Sequence, residues 1–197
     1  MQKDSKNTQK RNTALFIPNI IGYFRLAFLF ISIFNSTPVF VGLYSISYIL
    51  DALDGFAARC FRQESELGYI LDMAVDRAAS SVLTLRVVSK YPHLFPVLAP
   101  CLVLDLVAHM FCIVSRCVNK TSHKSHSETG FIDKVLSLYY TKAILFITCF
   151  GAEVFFLNIL YFHNAYLLLI SGAIFSFKQL TNVLQFQKAL CALSAGA

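Results

Sequence analysis

Hydrophobic and polar positions alternate along this chain in long blocks. Apolar runs of about 20 residues, the length an α-helix needs to cross a bilayer core, are separated by short polar breaks. Six such runs stand out, over residues 14–34, 38–58, 67–88, 93–115, 141–162 and 165–188. They predict an all-α integral membrane protein with six transmembrane helices. The one long break, 116–134, reads RCVNKTSHKSHSETGFIDK and predicts a polar loop with an amphipathic segment after it. Residues 1–13 form a polar tail and 191–197 a short C-terminal tail, so residues 14–190 are expected to be a single six-helix domain.

Composition agrees with the pattern. Of 197 residues, 56% are hydrophobic and 14% charged, and the mean hydropathy is +0.60, which is too apolar for an ordinary water-soluble globule. The net charge of +6 is spread between the apolar runs and forms no basic face of the kind that binds nucleic acid. It follows membrane topology instead. Lys3, Lys6, Lys10, Arg11, Arg59, Arg62, Arg116, Lys120, Lys124, Lys134 and Lys188 fall on one side of the predicted bundle, with Lys90 as the exception. The positive-inside rule makes that side cytosolic and puts both termini there. A cleaved signal peptide is the competing reading of the first 34 residues, but NSTPVF lacks an A-x-A-like site. The six cysteines show no CxxC spacing and predict neither disulfides nor zinc.

With so few charges, those inside apolar runs carry the information, because an ionised Asp at a bilayer centre costs roughly 2.5 to 3.5 kcal/mol even on the lenient scale. Four carboxylates lie within DALDGFAARCFRQESELGYILDMAVDR. Asp51 and Asp54 are i,i+3 neighbours, Asp72 and Asp76 are i,i+4 neighbours, and an antiparallel pairing of the two runs brings both acidic faces together. The set offers hard oxygen ligands with no His or Cys, which suits Mg²⁺ or Mn²⁺ over Zn²⁺. Taken singly, any one Asp serves equally well as a structural hydrogen-bonding residue, Arg59 as a snorkelling boundary residue and Gly55 or Gly68 as helix-packing glycines. The spacing of the set separates the two readings.

That spacing, D-x2-D-G-x2-A-R-x8-G-x3-D-x3-D, resembles the CDP-alcohol phosphotransferase family at Asp51, Asp54, Gly55, Ala58, Arg59, Gly68, Asp72 and Asp76. The resemblance implies a six-helix membrane fold, usually homodimeric, with two divalent ions near the cytosolic face. It implies that Asp51, Asp54 and Asp72 bind metal, and that Asp76 is both ligand and general base. Gly55 and Gly68 become close-approach positions for the cytidine nucleotide, Arg59 a partner of the diphosphate, and Ser65 a hydroxyl donor to the same nucleotide.

The wider chain is similar to the eukaryotic phosphatidylinositol synthase branch, through FIPNIIGYFRL (16–26), YILDALDGFAARCFRQ (48–63), LGYILDMAVDR (67–77), LDLVAH (104–109), SHK (122–124) and YYT (139–141). It departs at Phe56, where that branch often shows His. The branch implies CDP-diacylglycerol and myo-inositol as substrates and the endoplasmic reticulum as location. Glycerol phosphate, serine and choline are the alternative acceptors. Asp105 and His109, i,i+4 in the fourth run, either meet the acceptor hydroxyls or pair with each other and with Arg77. His123 and Lys124 either cover the site or belong to a solvated loop, and Arg25, Lys142 and Glu153 are further ionisable groups expected inside the membrane. A cation or proton transporter is the non-enzyme reading. It accounts for the carboxylates but not for Gly55, Arg59 or the eight-residue connector.

Overall fold

A computed structural model describes residues 12–119 and 130–194. Seven α-helices account for nearly all of them: α1 (Ile17–Ile33), α2 (Thr37–Cys60), α3 (Glu66–Lys90), α4 (Phe95–Asn119), α5 (Phe131–Tyr139), α6 (Lys142–Leu157) and α7 (Ala165–Ser194). The first apolar run begins as a helix three residues later than its composition predicts. Pro18 is the reason, since it is preorganised for a first helical turn and needs no donor there. Residues Thr13–Leu15 ahead of it form a short 3₁₀ turn. α5 is the amphipathic segment after the long loop. It seats Leu136 and Tyr139 in the interior and leaves Leu138 exposed. His123, Lys124, Lys120 and the basic residues of the N-terminal tail lie outside the described residues.

Four stretches are long and apolar enough to cross a membrane: Thr37–Cys60, Pro92–Val118, Lys142–Phe162 and Ala165–Ser194. The six runs are all helical, but the apolar criterion admits four. α1 is apolar and only 17 residues long. α3, with 25 residues, is long enough at about 37 Å, but it carries Glu66, Asp72, Asp76, Arg77, Arg86 and Lys90.

The bundle is inverted relative to a soluble protein. Phe24, Phe30, Ile49, Leu85, Val97, Phe146, Leu169 and Ile170 are exposed, while Asn19, Arg25, Ser47, Asp54, Asp105, Lys178, Thr181 and Asn182 are buried. Lipid is the solvent that such a surface fits. α1 packs on α2 and α3, α3 reaches α4, and α7 lies between α4 and α6. The apolar core occupies one end, where Leu29, Phe40, Tyr44, Leu83, Val87, Leu98, Phe156, Leu160 and Phe175 meet. The polar interior occupies the other.

Local chemistry fixes the helix ends at the polar end. α2 stops where Arg62 takes a left-handed φ of 52°, and the Gln63 N–H returns to the Ala58 carbonyl at 2.9 Å while the Arg62 N–H returns to Arg59, a Schellman closure. The Gln63 side chain then accepts from the Ile17 N–H at 2.9 Å and caps α1. Ser65 caps α3 by accepting from the Gly68 N–H at 3.0 Å. The five-residue connector therefore joins three helix ends around one space. At the far end a π-helical turn, Asn158–Phe162, closes α6, with Asn158 exchanging two hydrogen bonds with the Asn164 backbone.

The α6–α7 seam depends on Gly151. A Cβ there would lie 2.6 Å from Ile174 Cγ2 and 2.8 Å from its Cδ1, and a β-branched side chain has little rotamer freedom in a helix. Gly151→Ala is expected to destabilise the detergent-solubilised protein by about 1 to 3 kcal/mol, the usual range for overpacking. Ile174→Ala in the same chain should restore most of the loss. Thermal unfolding of the two single variants and the double variant measures this coupling, and a stable Gly151→Ala would show that the helices can separate there.

Candidate functional site

α2 presents Asp51 and Asp54 and α3 presents Asp72 and Asp76, and the antiparallel pairing expected from the sequence brings all four together. A residue from α1 completes the cluster. The Arg25 guanidinium sends Nη1 to Asp54 at 2.7 Å and Asp72 at 2.9 Å, and Nη2 to Asp51 at 2.7 Å and Asp76 at 2.6 Å. Arg25 is 2% exposed, and its backbone carbonyl accepts from Ser47 at 3.2 Å, which ties α1 to α2 at this level. A planar fork with two terminal nitrogens is the side chain best shaped to hold carboxylates on two helices at once.

One guanidinium against four carboxylates leaves a formal excess of negative charge. The donor set suits a divalent cation: carboxylate oxygens of Asp51, Asp72 and Asp76 lie within 4.8 Å of one another, and all are hard oxygen ligands of the kind such ions take. This triad could hold a metal. Asp54, the fourth carboxylate, reaches the group through Arg25.

Two spaces flank the cluster. The larger, a cavity of about 500 Å³, is lined by Asp54 and Asp72 and by Gly55, Arg59, Ser65 and Gly68. The N-termini of α1 and α3 border it through Pro18, Asn19 and Glu66, so the positive ends of two helix dipoles border a space suited to an anion. The smaller, a chamber of about 90 Å³, is lined by the other two aspartates, Asp51 and Asp76, with Arg25, Tyr48, Arg77, Ser80, Glu153 and Lys178.

The individual expectations divide accordingly. Arg59 stands on the cavity wall, and a Cβ on Gly55 would touch only its guanidinium, at 3.6 Å, so the protein itself leaves room at Gly55. Gly68 is different, because a Cβ there would meet Asn19 Oδ1 at 2.9 Å. Its missing side chain first accommodates α1. Ser65 faces the cavity, but its oxygen already caps α3. Asp105 accepts from Arg77 Nη1 and from Asn182 Nδ2 at 3.0 Å, and His109 Nδ1 lies 2.8 Å from the Asp105 carbonyl. Of the two sequence readings, mutual pairing with Arg77 is the arrangement found, and neither Asp105 nor His109 lines the chamber beside Asp76. Lys142 is exposed at the start of α6 and not inside the bundle.

Several site residues lie outside the spaced motif. Arg116, from the end of α4, stacks 3.8 Å over the Tyr69 ring, and both line the large cavity. Asn19 binds the Thr13 carbonyl at 2.6 Å and shapes the same wall. Lys178, midway along α7, is 6% exposed and lines the small chamber.

An all-helical, lipid-facing bundle that gathers hard oxygen ligands between a nucleotide-sized cavity and a polar chamber has the architecture of a membrane-embedded transferase. Residues 15–177 match the CDP-alcohol phosphatidyltransferase family, and the chain belongs to that family. Relatives named CDP-diacylglycerol–inositol 3-phosphatidyltransferase include one from Candida albicans, 38% identical over 89% of this chain and 80% of the relative. One from Saccharomyces cerevisiae is 36% identical over 96% and 93%, and one from Homo sapiens is 35% identical over 77% and 73%. No solved structure matches the chain at a significant level.

Arg25 generates a prediction that does not depend on turnover. Removing one partner from a buried ion network typically costs about 3 to 5 kcal/mol, so Arg25→Met should lower the unfolding temperature in EDTA. Divalent ions should then stabilise the variant more than the parent, because a ligand selective for the folded state stabilises in proportion to its binding. Equal Mn²⁺ stabilisation of both proteins would show that the guanidinium and the metal do not share these carboxylates.

Proposed function

We propose that this protein transfers the phosphatidyl group of CDP-diacylglycerol to myo-inositol, releasing CMP and forming phosphatidylinositol. The observation that carries the reading is the position of the tetrad between two spaces of different size and polarity, in a chain whose relatives bear the name of that reaction.

The cavity takes the CDP moiety. Gly55 leaves room for close approach, Arg59 pairs bidentately with the diphosphate, and Ser65 and Gly68 form the rim on the α3 side. Asp51, Asp54, Asp72 and Asp76 would hold Mg²⁺ or Mn²⁺, two ions in the family pattern, and metal bound there would supply screening of the negative charge on the diphosphate and on departing CMP. In-line displacement requires the incoming oxygen to approach the phosphorus opposite the leaving group. The cytidine cavity lies on the Asp54 and Asp72 side, so the acceptor enters from the chamber on the Asp51 and Asp76 side. The inositol hydroxyl oxygen forms the new bond to phosphorus, the bond to the bridging oxygen of CMP breaks, and Asp76 takes the hydroxyl proton. Asp105 and His109 act here by holding Arg77 at the chamber wall.

The same reading takes residues 14–190 as one catalytic domain and counts α1 and α3 as the two remaining spans. That gives six helices with the site and both termini on the cytosolic face of the endoplasmic reticulum membrane, in a homodimer. Polar helices such as α3 are tolerated where their charged face lines a cavity.

Membranes containing the expressed protein, supplied with CDP-diacylglycerol and Mg²⁺ or Mn²⁺, should incorporate labelled myo-inositol into lipid and release CMP. Glycerol phosphate, serine and choline should give no product, and robust transfer to one of them with none to inositol would overturn the acceptor assignment. Asp76→Asn should lower turnover by about 10² to 10⁴-fold, the usual worth of a general base, while CDP-diacylglycerol still protects the protein from thermal unfolding. Near-normal turnover in that variant would move the base elsewhere.

A further inference from the structure

The small chamber holds a charged pair that the metal chemistry does not use. Lys178, on α7, is 94% removed from solvent, yet its ammonium makes no ion pair or side-chain hydrogen bond among the described residues. It lines the chamber beside Asp76 and also the adjoining pocket that reaches Asp105. Glu153, on α6, lines the same two spaces, and one of its oxygens accepts from the Tyr44 hydroxyl at 2.5 Å. The two groups lie within electrostatic reach of each other without direct contact.

The other charges of the chamber are already engaged. Arg25 is bound to the aspartates, and Arg77 is bound to Asp105. An ammonium buried without a partner is expensive in a low-dielectric interior, and Lys178 on a transmembrane helix bears that cost with no structural bond in return. A ligand that supplies hydroxyl oxygens to the ammonium and a hydroxyl proton to the free carboxylate oxygen would relieve both groups together.

We propose that Lys178 and Glu153 are the specificity-determining residues of the acceptor subsite: a separated donor and acceptor of opposite charge that grip hydroxyls of an uncharged polyol and orient another hydroxyl toward Asp76. This rests on the function proposed above and extends it to residues on α6 and α7. The pairing also explains rejection. Lysine's charge offset by glutamate's leaves the chamber without the net positive charge that a phosphorylated acceptor requires, and the carboxylate repels a phosphate directly. Glu153 is the selective element against anionic acceptors and Lys178 the affinity element for hydroxyls. Sites built to hydrogen-bond hydroxyls discriminate strongly because their own groups are left unpaired when the wrong ligand enters.

The test uses purified full-length protein in lipid nanodiscs containing CDP-diacylglycerol, with Mn²⁺, measuring CMP release against myo-inositol, inositol 1-phosphate and glycerol 3-phosphate. Lys178→Met, near in length and without charge, should raise the inositol KM by about 10 to 100-fold while the donor KM stays within about twofold, and Lys178→Arg should recover most of the loss. Glu153→Gln should narrow the preference for inositol over inositol 1-phosphate by about tenfold or more, since it unmasks the lysine charge. Stabilisation by CMP with Mn²⁺ reports separately on folded donor sites, and variants that retain it are read kinetically. Unchanged inositol KM and selectivity in both variants would overturn the proposal. So would loss of CMP stabilisation in parallel with turnover in Lys178→Arg as well, which marks a purely structural pair. If the parent protein uses inositol and the variants behave as it does, only this inference fails. If the parent uses a charged acceptor and not inositol, the acceptor assignment fails with it.

Discussion

Four carboxylates held by one buried guanidinium set the terms for the rest of this molecule. In a lipid environment the tetrad is tolerable only if its charge is met from within, and Arg25 meets part of it with four contacts between 2.6 and 2.9 Å. That requirement draws α1, α2 and α3 into one polar knot, because the cation comes from one helix and the anions from the other two. It also explains the division of the interior. Apolar packing of Leu29, Phe40, Leu83, Val87 and Phe175 lies at the end away from the knot, where the nearby charges of Arg86 and Lys90 are answered by the Asn35 and Leu160 carbonyls. The knot end is stabilised by caps and ion pairs instead: Gln63 on α1, Ser65 on α3 and Asp105 on Arg77.

The tetrad was legible in the sequence because it is local. Asp51 and Asp54, and Asp72 and Asp76, are separated by one helical turn, and a short connector joins their helices, so spacing alone places them together. The helical runs were legible for the same reason, since apolarity over 20 residues is a one-dimensional signal. Arg25 was noticed as a charge inside an apolar run, but its role was not. Its four partners lie 26 to 51 residues away, and no periodicity reports a contact across that distance. Lys178 is a harder case. It sits in FSFKQLTN, inside the sixth apolar run but among polar neighbours, and the packing of α7 between α4 and α6 turns it inward.

At some positions the structure adds a reason that the spacing does not carry. Gly68 belongs to the fixed spacing, which suggests approach of a nucleotide, yet the first atom its missing Cβ makes room for is Asn19 Oδ1. A single glycine can meet two demands, and the spacing does not say which is primary. Gly55 shows the contrast: no protein atom closer than 3.6 Å restrains a Cβ there, so the protein's own packing does not call for glycine at that position. Ser65 likewise sits where a hydroxyl would face a nucleotide, and its oxygen is already the cap of α3. Its oxygen accepts in the cap, so the hydroxyl proton at the other end of the same group is not used by capping.

α3 carries this argument to its end. It fails the apolar criterion that α2 passes, because one face holds Asp72, Asp76, Arg77 and Ser80, each of them turned to a cavity or to an ion partner. A helix of that composition would not be stable in lipid alone. It is stable here because α1 supplies Arg25, α4 supplies Asp105 and α7 supplies Asn182, so three surrounding helices each contribute a group that answers one on α3 or its partner. The least membrane-like helix is therefore the one around which the membrane bundle is organised, and its polar face is available for chemistry because the surrounding helices exclude lipid from it.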